Sequence, residues 1–116
     1  MTQKATIYHN PKCSKSRQTL ALLEEASADI TVVEYLKEPL SENQLSELID
    51  LLGIKPHELL RTKEDAYKQQ SLSPESSSEA ILAAIYENPI LMERPVVVVG
   101  KRAAIGRPPE NIKAIL

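Results

Sequence analysis

Apolar positions fall in short runs, and their spacing alternates between a strand-like and a helix-like period. Ala5–Tyr8 is a short β-type segment, interrupted by His9, Asn10 and Pro11. Ser14 to Glu25 then reads as a helix, with Leu20 and Leu23 on one face and two glutamates at its end. Thr31–Leu36, rich in β-branched residues, predicts a second strand that Pro39 closes. Ser41 and Gln44 have the spacing of a capping box, in which each side chain bonds the other's backbone N–H. Leu45, Leu48, Ile49 and Leu52 follow on one helical face, and Gly53 ends that helix. Pro56 opens a short helix through Leu60, and Thr62 with Asp65 predicts a cap for a polar helical turn reaching about Gln69. Ser71–Ser78 is polar and loop-like. Ser76 and Glu79 are placed to cap a further helix, with Ile81, Ala84 and Ile85 inward, which Asn88–Pro89 ends or kinks. Pro95 precedes Val96–Val99, and four β-branched residues in a row predict a strand buried on both faces. Gly100–Lys101 reads as a two-residue turn into a returning strand, Arg102–Ile105. Pro108 or Pro109 opens a last helix with Ile112, Ile115 and Leu116 inward.

The order is thus βαβ, a helical insertion, then ββα. A βαβ unit makes a parallel strand pair and the hairpin adds antiparallel strands, so the expectation is an α/β fold with a thioredoxin-like mixed sheet. The length, 116 residues, suits a single domain spanning 1–116. Leu, Ile and Val make up 31 of those residues, enough for one core, which must be aliphatic because Phe and Trp are absent. The net charge of −2 gives no support to nucleic-acid or membrane-surface binding. The longest apolar run, Ala80–Tyr86, is far short of the ~18 residues that span a bilayer. The first residues do not read as a signal peptide, and one cysteine cannot form an internal disulfide. These features point to a reduced, cytoplasmic setting, in which redox chemistry must borrow its second thiol from another molecule.

That cysteine, Cys13, stands at the junction of the first loop and the first helix, within Tyr8-His9-Asn10-Pro11-Lys12-Cys13-Ser14-Lys15-Ser16-Arg17. A helix N-terminus presents free backbone N–H groups and the positive end of the dipole, and both favour the nucleophilic thiolate. Lys12, Lys15 and Arg17 add positive charge nearby, and the hydroxyls of Ser14 and Ser16 are potential donors to the sulfur or to a bound oxyanion. The bland alternative, a small buried hydrophobe, fits poorly with such polar and basic neighbours. In Cys13-x-x-Ser16 the serine cannot resolve a mixed disulfide as a second cysteine would. His9, four residues before Cys13, is a candidate to hold a proton near the thiolate or to satisfy the loop backbone. A metal site needs more ligands than His9, Cys13 and the remote His57 supply, so none is expected.

Of five arginines, Arg17 belongs to the cysteine helix, whereas Arg61, Arg94 and Arg107 stand at element boundaries. The planar fork of a guanidinium fits two oxygens of an oxyanion, so these three are candidates for one shared anion site. Taken singly, each is as well explained by a surface salt bridge. In a thioredoxin-like fold the loop before the third strand approaches the cysteine, and a cis bond at Arg94–Pro95 would aim the preceding side chain at the sulfur.

Five elements occur in order: Tyr8-His9-Asn10-Pro11-x-Cys13-x-x-Ser16-Arg17, Leu60-Arg61, Asn88-Pro89-Ile90-Leu91, Arg94-Pro95 with its valine strand, and Gly106-Arg107-Pro108. In these the chain resembles the glutaredoxin-coupled arsenate reductase family, over Thr6 to Leu116. Its compact end is similar to the short chromosomal branch. The resemblance implies that Cys13 is the nucleophile and that Arg61, Arg94 and Arg107 hold the oxyanion. It also implies that His9 and Ser16 tune the thiolate and that Pro95 positions its neighbour. The implied reaction reduces arsenate to arsenite with glutathione as co-substrate and glutaredoxin as protein partner, and with no bound cofactor. Two alternatives remain open on the same fold. One is a general glutathione-linked thiol oxidoreductase, which would not need three arginines. The other is a non-catalytic regulator that binds RNA polymerase, a branch that typically carries Cys-x-x-Cys where this chain has Ser16.

Overall fold

The computed structural model describes residues 3–116. The chain divides into two compact units, one formed by the segment through Glu38 together with Arg94–Leu116, the other by Pro39–Glu93.

The first unit contains a four-stranded sheet: β1 (Lys4–Tyr8), β2 (Asp29–Val33), β3 (Val96–Val99) and β4 (Arg102–Ile105), in the spatial order β2-β1-β3-β4. β1 and β2 are parallel, joined by α1 (Ser14–Glu25) as the crossover that a parallel pair requires. β3 runs antiparallel to β1, and β4 to β3. This is the thioredoxin-like mixed sheet that the element order predicts. Ala5, Ile7, Leu23, Val97, Ile112 and Ile115 form the core, with Leu20, Ile30 and Val99 packed against it. Alternation of side chains along β1 sends Ala5 and Ile7 to that core. The core thereby ties the C-terminal end of α1 to the sheet and leaves its N-terminal end to the loop that carries Cys13.

Three expectations change here. β2 covers Asp29–Val33 rather than Thr31–Leu36, because its parallel partner runs only from Lys4 to Tyr8. The last ladder-like bond is from His9 N to Val33 O at 2.8 Å, and beyond it the chain turns, with Lys37 and Glu38 N–H groups both donating to Glu34 O. β3 is buried on both faces only over Val96 and Val97; Val98 and Val99 are half-buried. The last helical segment, Pro109–Ile115, is 3₁₀ rather than α, with Ile112 fully buried.

The second unit holds α2 (Glu42–Leu52), a 3₁₀ turn at Pro56–Leu59, α3 (Asp65–Gln69), α4 (Ser78–Glu87) and a 3₁₀ turn at Pro89–Leu91. The expected capping box is formed, with Ser41 Oγ accepting from Gln44 N at 3.1 Å and Gln44 Oε1 from Ser41 N at 2.9 Å. Gly53 caps α2 in the left-handed conformation at φ 67°, where an L side chain is strained. Two caps shift. Ser77, not Ser76, accepts from Ala80 N, since Ser76 Oγ is taken by Ser73 N. Glu64, not Thr62, stands at the N-cap of α3.

Candidate active site

Cys13 occupies the N-cap of α1 in an extended conformation (φ −94°, ψ 124°), and its carbonyl accepts the first helical bond from Arg17 N at 3.0 Å. The loop before it is closed by its own polar groups. Cys13 N donates to Asn10 O at 3.0 Å, and Lys12 N to Asn10 Oδ1 at 3.0 Å, the Asx turn that an Asn-Pro pair favours. Arg17 Nη1 donates to Pro11 O at 2.9 Å, so the helix holds the loop that precedes it.

Burial of Cys13 raises its pKa, but the opposing effects win and leave the thiol below its ordinary value. The backbone N–H groups of Ser16 and Lys15 face the sulfur from the first turn of α1, and the Arg94 guanidinium adds a hydrogen bond and its charge. The nucleophile expected from the sequence is therefore placed for activation, chiefly by main-chain groups and one arginine.

Ser16 and His9 do something different from what their residue types suggest. Ser16 is fully buried, and its hydroxyl is bonded to His9 Nδ1 at 2.7 Å and to Asn10 N at 3.1 Å. The hydroxyl is spent on the loop rather than on the sulfur; Ser16 reaches the thiolate through its backbone N–H. Burial lowers the pKa of His9, partly offset by the negative charge of Glu34 and reinforced by Arg17. Burial thus favours the uncharged ring, which braces the loop through Ser16.

Arg94 and Arg107 meet at the cysteine. Arg107 Nη2 lies 3.7 Å from Cys13 Sγ, and its Nε donates to Arg94 O at 2.8 Å. Arg94 precedes β3 and Arg107 follows β4, so the hairpin brings together two arginines separated by 13 residues. Arg94 Nε and Nη1 are buried without a hydrogen-bond partner among the described residues. A buried guanidinium that keeps donors unspent beside a thiolate suits an oxyanion with several lone pairs. The Arg94–Pro95 and Arg107–Pro108 bonds are both cis. Pro95 is buried, and its carbonyl accepts from Gly106 N at 2.8 Å, tying the two arginine segments together.

Arg61 lies in the second unit. Its backbone N–H donates to Leu91 O at 2.7 Å beside a bridge between Leu60 and Met92, and its Nε is 3.5 Å from Glu64 Oε2. His57 is likewise engaged there, with Nε2 2.9 Å from the Tyr67 hydroxyl.

Two contributors to the site carry no strong sequence signal. Asn111 Nδ2 donates to Arg107 O at 3.0 Å and holds the segment after β4. A Cβ on Gly106 would lie 2.5 Å from Thr19 Oγ1 and 2.8 Å from Pro95 Cγ, so only glycine lets this segment approach α1. The Gly106-Arg107-Pro108 triplet marks the place but not the neighbour.

The model of the ArsC family matches residues 8–115. The chain is 48% identical over 118 residues to Uncharacterized protein YfgD of Escherichia coli K12, covering 100% of this chain and 99% of that one. It is 44% identical over 112 residues to an arsenate reductase of Neisseria meningitidis serogroup A, covering 95% and 96%. The structure of arsenate reductase from Vibrio cholerae superposes with a TM-score of 0.96 at 43% identity over 100% of both chains. With a family match that runs from the strand before the cysteine loop to the last helical segment, and relatives this similar over nearly their full lengths, this chain belongs to the ArsC family.

Proposed function

We propose that this protein reduces arsenate to arsenite in the cytoplasm, with Cys13 as nucleophile and glutathione and glutaredoxin as thiol donors. One observation carries the reading: two guanidiniums, Arg94 and Arg107, converge on a cysteine whose thiolate is favoured. Attack of a thiolate on a mono- or dianionic oxyanion is opposed by charge repulsion, and the helix N-terminus offsets only about half a charge. Fixed guanidiniums supply the rest and can take the oxygens in pairs. A glutathione-linked thiol oxidoreductase, whose reacting disulfide sulfurs carry no charge, does not need two guanidiniums at the sulfur itself.

In the first step the Cys13 sulfur bonds to arsenic, and one oxygen leaves as water after protonation. Glutathione thiolate then attacks the Cys13 sulfur. The S–As electron pair passes to arsenic, which leaves as arsenite, and a Cys13–glutathione disulfide forms. Overall, one arsenic acid and two thiols give one arsenous acid, one disulfide and one water. With no second cysteine in the chain, that disulfide passes to glutaredoxin. Arg61 joins the oxyanion set on the family resemblance alone. The test is turnover of purified protein with arsenate, glutathione and glutaredoxin, against the Cys13→Ser variant. Turnover that depends on Cys13 supports the reading, and its absence in the wild-type protein overturns it.

A further inference from the structure

Charge is distributed unevenly along this chain, and the distribution follows the chemistry. Residues 1–23 carry four lysines and arginines and no acid, and residues 94–116 carry five and a single acid, Glu110. The 70 residues between them carry five cations and fifteen acids. The two segments that hold Cys13, Arg94 and Arg107 therefore sum to +8 and the remainder to −10, within a net charge of −2.

Lys12, Lys15 and Arg17 surround the cysteine in sequence, and all three are exposed. No carboxylate among the described residues forms an ion pair with any of them. The first turn of α1 contains no acid, and its glutamates, Glu24 and Glu25, stand at the other end, roughly 15 Å along the axis. Glu34, whose charge reaches His9, is ion-paired with Lys37 at 3.6 Å. Nor does the sulfur draw on the lysine ammoniums: main-chain N–H groups and Arg94 stabilise the thiolate. Lys12 and Lys15 thus flank the nucleophile in sequence as solvated cations without a task in the first chemical step, and the exposed Arg17 spends one donor on bracing the loop at Pro11 O.

We propose that Lys12, Lys15 and Arg17 form a cationic collar that recruits the thiol attacking Cys13, selecting a small peptide thiol whose carboxylates give it net negative charge. This rests on the reductase reading and adds to it the residues that would recognise glutathione. The second step sends an anionic thiolate to the Cys13 sulfur, and carboxylates on the same molecule can bind exposed cations while the sulfur reacts. Because the collar is solvated, the attraction works through encounter and is screened by salt.

The test omits arsenate, so its result is independent of whether arsenate is the substrate. Dithiodipyridine converts Cys13 to a neutral pyridyl disulfide, at one site because the chain has one cysteine. An incoming thiolate bonds to the Cys13 sulfur, and pyridine-2-thione leaves with the electron pair and is read by absorbance. Rates are compared for glutathione, neutral 2-mercaptoethanol and cationic cysteamine, each divided by its rate on the pyridyl disulfide of N-acetylcysteine amide. At low salt the normalised rate for glutathione should exceed that for cysteamine by about 10-fold, with 2-mercaptoethanol between. The preference should shrink several-fold at about 0.5 M salt. In the double variant Lys12→Glu, Lys15→Glu the order should reverse. Equal normalised rates for all three thiols, unchanged by salt, would overturn the proposal. So would a preference that the double variant keeps, since Arg94 and Arg107 would then be its source. If the charge-reversed variant does not fold, Lys12→Gln, Lys15→Gln gives a second reading, with the preference for glutathione expected to shrink several-fold.

Discussion

His9 and His57 each bond a hydroxyl at under 3 Å, yet they do different work. His57 sits edge-on to Tyr67, with ring centroids 5.8 Å apart, and the pair closes a contact within the helical unit. Burial favours the uncharged form of His9, which through Ser16 fixes the loop that carries Cys13. The arginines differ in what their buried donors face. Arg61 Nε makes no hydrogen bond but has a carboxylate 3.5 Å away, whereas Arg94 holds two unbonded buried donors and Arg107 reaches for sulfur. In Pro39–Glu93 the buried guanidinium donor faces a carboxylate, and around Cys13 two guanidiniums come to a thiol. A residue type therefore does not assign a role; what its donors face does.

The largest expected effect follows from that contrast. Arg94→Ala and Arg107→Ala should each lower arsenate turnover by about 10²-fold or more, the range seen when one charge-stabilising donor is lost. Lysine should restore only part, since it keeps the charge and loses the fork. Arg61→Ala is expected to match them if the family resemblance holds for its role. Near-normal turnover in Arg61→Ala would confine the oxyanion site to the pair at Cys13, and near-normal turnover in all three would move it elsewhere.

Stability should separate two glycines. Gly106→Ala must displace Thr19 or Pro95 and should cost roughly 1–3 kcal/mol in urea denaturation, together with activity, because Arg107 is the next residue. Gly53→Ala meets nothing within 4 Å and carries only its left-handed backbone, so the loss should be about 1 kcal/mol. If Gly106→Ala cost less than Gly53→Ala, close packing of this segment on α1 would be refuted. Two serines extend the contrast. Ser16→Ala leaves the buried Asn10 N–H without its acceptor and should cost about 1–3 kcal/mol, against about 1 kcal/mol for the exposed cap in Ser41→Ala.

The smallest effect is on the thiol itself. Iodoacetamide reacts with the thiolate, so a depressed pKa should move the midpoint of the alkylation rate against pH below that of a free cysteine. Arg94→Ala should move it back upward, because that side chain contributes both a hydrogen bond and positive charge to the thiolate. A midpoint at or above that of free cysteine in the wild-type protein would remove the basis for calling Cys13 activated.

Local chemistry was legible in the residues. The capping box at Ser41, the boundaries of α1, the Gly100–Lys101 turn and the placement of Cys13 at a helix start all depend on neighbours within four positions. The inner face of α4 was legible too, since Ile81, Ala84 and Ile85 recur at helical spacing and are buried. Failures occurred where the deciding partner is remote. Thr31–Leu36 has strand propensity throughout, but a strand lasts only as long as its neighbour, and β1 ends at Tyr8. The cap of α4 failed for a different, local reason: Ser76 is as good a cap as Ser77 by type, and two adjacent serines leave the choice open until Ser73 N takes the Ser76 hydroxyl.

The site divides along the same line. The order of side chains fixes that a lone cysteine opens a helix among basic residues and that no second thiol lies within the chain, because both are properties of covalent sequence. That Arg107 bonds the carbonyl of Arg94 while reaching Cys13 across 94 positions is a property of the hairpin and of the one glycine that lets it approach α1. The destination of the Ser16 hydroxyl was likewise open until the loop closed. A hydroxyl has several acceptors and donors within reach in an extended chain, and only packing leaves it one set of partners.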